Sequence, residues 1–76
     1  MEYGKLIYDN ECNRLDVLFD NGGTFGGFHC GDRLDILQDN EWVPTRVEYD
    51  EDWYLFGLYQ SGKIPVGLDV RVCCRL

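Results

Sequence analysis

The feature that most constrains the fold of this chain is a series of short alternating segments, each ended by turn-forming residues. Residues 14–19, "RLDVLF", show the pattern: Leu15, Val17 and Phe19 fall on one face, and the run ends in "DNGG". Such alternation is typical of a half-buried strand, and no window of a dozen residues keeps apolar residues at helical spacing without an interrupting turn residue. The sequence therefore predicts an all-β fold.

Six runs of this kind follow one another at intervals of roughly 8–12 residues, a spacing typical of small barrels and sandwiches. They cover residues 5–8, 14–19, 33–37, 42–49, 53–59 and 68–74. Pro44 cannot donate to a β-ladder and is expected at a bulge or an edge. The stretch 61–67, with Gly62, Pro65 and Gly67, predicts at most one short turn of 3₁₀ helix. A chain of 76 residues buries one core. We therefore expect a single domain over residues 1–76, an antiparallel barrel of five to six strands.

The run at 53–59, "WYLFGLY", is apolar on both faces, although a strand in a small barrel has one interior face. One face is predicted to carry Trp53, Leu55 and Tyr59, and the other Tyr54, Phe56 and Leu58. The second set must be covered by the chain's own loops or by a partner, and an exposed aromatic patch marks a binding surface.

The charge of the chain bounds its partners. Acids outnumber bases by 14 to 7, which gives a net charge of −7. Without a cluster of cations, direct binding to nucleic acid or to an anionic membrane is not expected, whereas a basic protein surface is attracted. Eight of the acids fall between residues 32 and 52. They form either a solvated face or a surface that imitates the phosphates of a nucleic acid. The candidate partner-binding residues are Asp32, Asp35, Glu48, Asp50, Glu51 and Asp52, with Trp42, Trp53 and Tyr54 as aromatic anchors.

The segment 24–32, "TFGGFHCGD", raises the question of a metal, phosphate or thiol site. It has no lysine and no following helix for a phosphate, and adjacent strand residues such as His29 and Cys30 point in opposite directions. Its glycine pair Gly26-Gly27, and Gly22-Gly23 before it, are better explained as positions of positive φ in a long loop. A zinc site would have to be assembled from Cys12, from His29 or Cys30, and from Cys73 or Cys74, which lack the usual ligand spacing. The alternative is that Cys30, Cys73 or Cys74 lies in the core. No catalytic residue and no cofactor are predicted.

The N-terminus lacks a basic start followed by an apolar core, and no segment approaches the roughly 20 apolar residues that cross a bilayer. We therefore expect a cytoplasmic protein whose cysteines are thiols.

Four segments together carry a resemblance: "GGFHCGD", "WVPTRVEY", "WYLFGL" and "GLDVRV". Over about residues 4–73 the chain resembles a family of small uncharacterised proteins, a domain of unknown function, of Gram-positive gut bacteria and their mobile elements. The resemblance implies an SH3-like barrel and brings no established activity and no catalytic residues.

These observations favour a non-enzymatic protein-binding module, and more specifically an accessory or inhibitory protein of a phage or mobile element. Its acidic surface would engage a basic protein that handles nucleic acid. Three alternatives remain open. A small-ligand receptor would use a pocket between the glycine-rich segment and the aromatic strand, a zinc-stabilised module would use the cysteines, and a homodimeric subunit would bury the second face of 53–59.

Overall fold

The computed structural model describes residues 1–60, 62–64 and 66–73. Six strands are found in this part of the chain: β1 (Glu2–Asp9), β2 (Arg14–Phe19), β3 (Arg33–Gln38), β4 (Glu41–Asp50), β5 (Asp52–Leu55) and β6 (Asp69–Val72). All neighbouring strands pair antiparallel, in the order β2-β1-β6-β3-β4-β5. The last strand thus joins the β1–β2 hairpin to the β3–β4–β5 meander. The predicted all-β architecture of up to six antiparallel strands is confirmed, and no helix occurs among the described residues.

The core lies on one face of this curved sheet and follows the alternation read from the sequence. Every second residue of a strand points to the same face, so the buried apolar side chains of all six strands meet on one side of the sheet. Each of the six strands supplies at least one fully buried residue: Leu6, Val17, Ile36, Val47, Leu55 and Val70. The opposite side of the sheet, called the outer face below, carries most of the charged side chains of β3, β4 and β6.

β1 begins three residues before the predicted run because Glu2 and Tyr3 pair with Val72 and Arg71 of β6. Further along β1, Gly4 lets β1 and β2 approach closely. A Cβ atom at Gly4 would collide with the carbonyl oxygen of Leu18 and lie 2.8 Å from the Cα atom of Phe19. Gly4 is paired with Phe19 in the ladder. The close approach therefore requires glycine at this position.

The predicted strand 53–59 is wrong in its length: β5 ends at Leu55. Gly57 adopts a φ of 76°, which turns the chain, and Tyr59 returns to exchange two backbone hydrogen bonds with Leu55 (3.0 and 3.1 Å). Leu58 and Tyr59 then pack against the core, whereas Phe56 is exposed. The chain's own turn, rather than a continuous strand, thus accommodates most of this aromatic run.

The structure tests the prediction for Pro44 and part of the prediction for the segment 61–67. Pro44 is paired with Asp35 on one side of β4, and β5 pairs only with residues 47–50, so β4 is an edge where Pro44 lies. Ser61 and Pro65, within the predicted 3₁₀ turn, lie outside the described residues, while Gly62, Val66 and Gly67 take turn conformations.

The segment between β2 and β3, residues 20–32, is called the glycine loop. Four of its glycines have positive φ: Gly22, Gly26, Gly27 and Gly31. Gly23, predicted to share this conformation, does not. The loop folds back along the free side of β2, where Phe25 and Phe28 donate backbone hydrogen bonds to Val17 (3.2 Å) and Leu15 (2.8 Å).

Two anchors hold the glycine loop in place. Phe28 is fully buried and stacks on Phe25, with 4.6 Å between the ring centroids. Asp16, which is 6% exposed, accepts hydrogen bonds through Oδ1 from the backbone N–H groups of Val17 (2.7 Å) and Gly26 (3.1 Å). The "TFGGFHCGD" segment is thus a clamped structural loop that contributes to the core.

Candidate functional site

Asp35, one of the predicted partner-binding acids, is held in an ion pair on the outer face. The Nε of Arg71 donates to its Oδ2 at 2.7 Å, and the two residues lie opposite each other on β3 and β6. Only 20% of the Asp35 side chain is exposed. The hydrogen bond to Asp35 also raises the pKa of Arg71, so this guanidinium keeps its positive charge. Its charge is balanced within the fold.

Glu48 and Asp32 are likewise engaged by neighbouring groups. The Nε of Arg46 donates to Glu48 at 2.6 Å, as expected for residues two apart on one face of a strand. The Oδ2 of Asp32 accepts the backbone N–H of His29 at 2.8 Å and closes the end of the glycine loop. About a quarter of each of these two acidic side chains is exposed. Three of the six predicted acids are therefore bonded within the fold: Asp32, Asp35 and Glu48.

The remaining three acids lie together in the turn between β4 and β5. Asp50, Glu51 and Asp52 are all exposed, and Glu51 occupies the left-handed region with a φ of 64°. Asp52 accepts the backbone N–H of Trp53 at 2.8 Å. Beside the turn, the ring of Tyr49 is 54% exposed and meets the ring of Trp53 edge to face at 4.9 Å.

A second acidic turn packs beside the first. The indole Nε1 of Trp53 donates to the backbone carbonyl of Asn13 at 2.8 Å, which fixes the β1–β2 turn against β5. This turn carries Asp9 and the exposed Glu11. The two turns form what is called the acidic end of the molecule. Its members are Asp9, Glu11, Asp50, Glu51 and Asp52.

The three predicted aromatic anchors are not brought together at this end. Trp53 is only 8% exposed and belongs to the core, so its ring is not available to a partner. Trp42 lies at the other end of β4, up to about 26 Å from Asp50 along an extended strand, and packs on Tyr3 (5.7 Å) and Arg71 (4.7 Å). Tyr54 is half-buried on β5, opposite Glu48. The aromatic residue that accompanies the acids is Tyr49, which sequence reasoning missed.

The described cysteines form no disulfide with one another. Cys12, Cys30 and Cys73 are free and exposed, so the alternative that Cys30 or Cys73 lies in the core is wrong. Within residues 1–60, 62–64 and 66–73, no group of three histidine, cysteine or acidic residues could hold a metal ion. Cys74 lies outside the described residues. Hydrogen bonding to Asp9 and the negative charge of that carboxylate raise the pKa of the Cys12 thiol, which lowers its reactivity.

The small-ligand alternative expects a pocket between the glycine-rich segment and the aromatic run 53–59. A shallow depression beside the aromatic strand is lined by Tyr8, Leu15, Trp53, Ile64 and Val66 among others, and by no residue of the glycine loop. In the part of the chain that the structure describes, no helix has the length and apolar character needed to cross a membrane.

Comparison with known proteins gives the family. A model of a domain of unknown function, DUF5348, matches residues 4–72. The chain belongs to this family. It is also similar to the crystal structure of a protein from Ruminococcus gnavus solved by a structural genomics consortium. The two are 44% identical, with a TM-score of 0.80, over 92% of this chain and 99% of that one. No curated protein matches the chain. The predicted resemblance to an uncharacterised family is thus confirmed, and the family description names no activity.

Proposed function

We propose that the domain is a non-enzymatic, SH3-like protein-binding module of the cytoplasm, and that the acidic end is its binding surface. The observation that carries the proposal is the contrast between two groups of acids. Asp32, Asp35 and Glu48 are partly covered by the fold, whereas the other acids are exposed on two adjoining turns beside Tyr49: Glu11, Asp50, Glu51 and Asp52.

The partner implied by this surface is basic. Exposed like charges on two neighbouring turns repel one another and are neutralised by a cationic surface, which increases the association rate. Tyr49 supplies an apolar ring with a hydroxyl group, the kind of side chain that contributes binding energy at protein interfaces. A protein that handles nucleic acid presents such a cationic groove. The domain would then be an accessory or inhibitory protein, encoded by a phage or mobile element, that occupies this groove.

The experiment is a charge reversal at the acidic end with a matched control at the opposite end of β4. Glu11 and Glu51 are exposed, and neither side chain is bonded to another described residue, so Glu11→Lys with Glu51→Lys should leave the fold intact. The control reverses Asp39 in the β3–β4 turn and Glu41 at the start of β4, which changes the net charge by the same amount.

Immobilised wild type and the two double variants are used to capture proteins from a lysate of the organism that encodes the chain. The proposal expects basic proteins that bind wild type and the control variant, are lost with the acidic-end variant, and elute as salt is raised, because exposed charges are screened over about 8–10 Å at physiological ionic strength. Tyr49→Ala should speed dissociation of the same proteins. Equal capture by both double variants would refute the acidic end as the binding surface.

A further inference from the structure

Three of the chain's seven cationic residues line one pocket on the outer face of the sheet, although the protein is strongly acidic. They come from three neighbouring strands: Arg33 from β3, Arg46 from β4 and Arg71 from β6. Asp35, Pro44 and Phe56 complete the part of the wall that matters here. The pocket is open to solvent and has a volume of about 420 Å³, within the range of about 300–1,000 Å³ common for small-ligand sites.

Two of these arginines are fixed in place. The guanidinium of Arg71 is bonded to Asp35 and lies 4.7 Å from the centroid of the Trp42 ring. That of Arg46 is bonded to Glu48 and lies 3.8 Å from the centroid of the Phe56 ring. A carboxylate and an aromatic face thus hold each one, and the two carboxylates balance their charges. These side chains form rigid walls that lose little conformational entropy when a ligand binds.

Arg33 differs from both. It is exposed, and it makes no hydrogen bond or ion pair with another described residue. In the β3–β4 ladder it lies directly opposite Arg46. Glu48 already balances the charge of Arg46, so Arg33 is the arginine of this pocket that has no acidic partner among the described residues. An anion bound between the strands would supply that partner.

We propose that this pocket binds a small organic anion, with a carboxylate or phosphate head paired with Arg33 and an apolar body against Pro44 and Phe56. The planar guanidinium presents two parallel N–H donors, which match the two oxygens of either head group. Pro44 is exposed on the same face, in register with Asp35, and Phe56 is also exposed. The site is separate from the acidic end and opposite to it in charge, so it does not depend on the function proposed above.

The first test is an NMR titration of the ¹⁵N-labelled protein with three probes that share a phenyl ring: benzoate, phenyl phosphate and the neutral benzamide. The proposal expects at least one of the two anions to shift the amide signals of Arg33, Arg46, Phe56 and Arg71, with benzamide giving no comparable shift. The anion that binds more tightly identifies the head group. No shift from either anion at about 10 mM, where sites of millimolar affinity are mostly filled, overturns the proposal, as does an equal response to benzamide.

The second test uses variants. Arg33→Gln should weaken binding of the better anion at least about tenfold, whereas Lys63→Gln, which removes one exposed cation outside the pocket, should leave it nearly unchanged. Arg33→Lys should fall between them because it keeps the charge and loses the two-pronged donor geometry. Binding by Arg33→Gln equal to wild type, or an equal loss with Lys63→Gln, overturns the proposal. Thermal unfolding of the unliganded variants distinguishes lost binding from lost fold, since removing Arg33 should not lower the melting temperature.

Discussion

A single substitution of the buried Asp16 tests whether its carboxylate holds the glycine loop against β2. Asp16→Ala removes the acceptor of two backbone N–H groups, those of Val17 and Gly26. A hydrogen bond to a charged group contributes about 1.5–3 kcal/mol, and desolvation of the buried carboxylate offsets part of that gain. We expect a loss of about 2–4 kcal/mol from a total stability of about 4–11 kcal/mol for a domain of this length. Asp16→Asn keeps an oxygen acceptor and should lose about half as much.

The assay combines urea unfolding with hydrogen exchange of the Gly26 amide. Urea unfolding gives the loss of global stability, and exchange shows whether the loop detaches from β2 before the rest of the sheet opens. Asp20→Ala is the matched control, because this exposed acid of the same loop should change stability by less than about 0.5 kcal/mol. A similar small effect of Asp16→Ala, or unchanged protection of Gly26, would refute the idea that the carboxylate clamps the loop.

Two further predictions follow from the close strand approach and from the first turn. Gly4→Ala should lower the free energy of unfolding by at least about 1–3 kcal/mol, because its Cβ would collide with the backbone of β2. An unchanged melting temperature would contradict the β1–β2 register. Cys12 should be alkylated by iodoacetamide more slowly than Cys30 in the same sample near pH 8, because the Asp9 carboxylate raises the pKa of the Cys12 thiol. Asp9→Asn should narrow that difference, and mass spectrometry of the two peptides measures both rates; equal rates in the unsubstituted protein would contradict the assignment.

The fold was predictable where the sequence alternates cleanly and less so where aromatic residues follow one another. The run 14–19 became β2 with its predicted bounds, because Leu15, Val17 and Phe19 can be buried together only from a strand. The run 53–59 was predicted too long. Its glycine at 57 was compatible with a strand interior, and only the positive φ in the folded chain reveals the turn.

The candidate site was harder to predict because charges are paired across the sheet. Arg46 and Glu48 are two residues apart, so their contact follows from strand geometry alone. Asp35 and Arg71 are 36 positions apart, and their contact depends on β6 lying beside β3, which no local pattern indicates. The same dependence hid the group of three arginines, whose members are scattered along the sequence. When the strand order is unknown, a run of acids in the sequence therefore predicts more free charged surface than the folded protein has.

The backbone contacts at the two outermost strands have a consequence for how copies of this protein meet. Segment 24–28 runs along the free side of β2, and Tyr59 and Gly62 donate to the carbonyl groups of Leu55 and Trp53 on β5. An open strand at the margin of a sheet is a template on which a second molecule can add a strand, and repeated addition leads to fibrils. Here the chain's own loops already occupy much of both margins, so growth by strand addition is hindered even at high concentration. A homodimer of this protein is therefore expected to associate through side chains rather than by adding strands at β2 or β5.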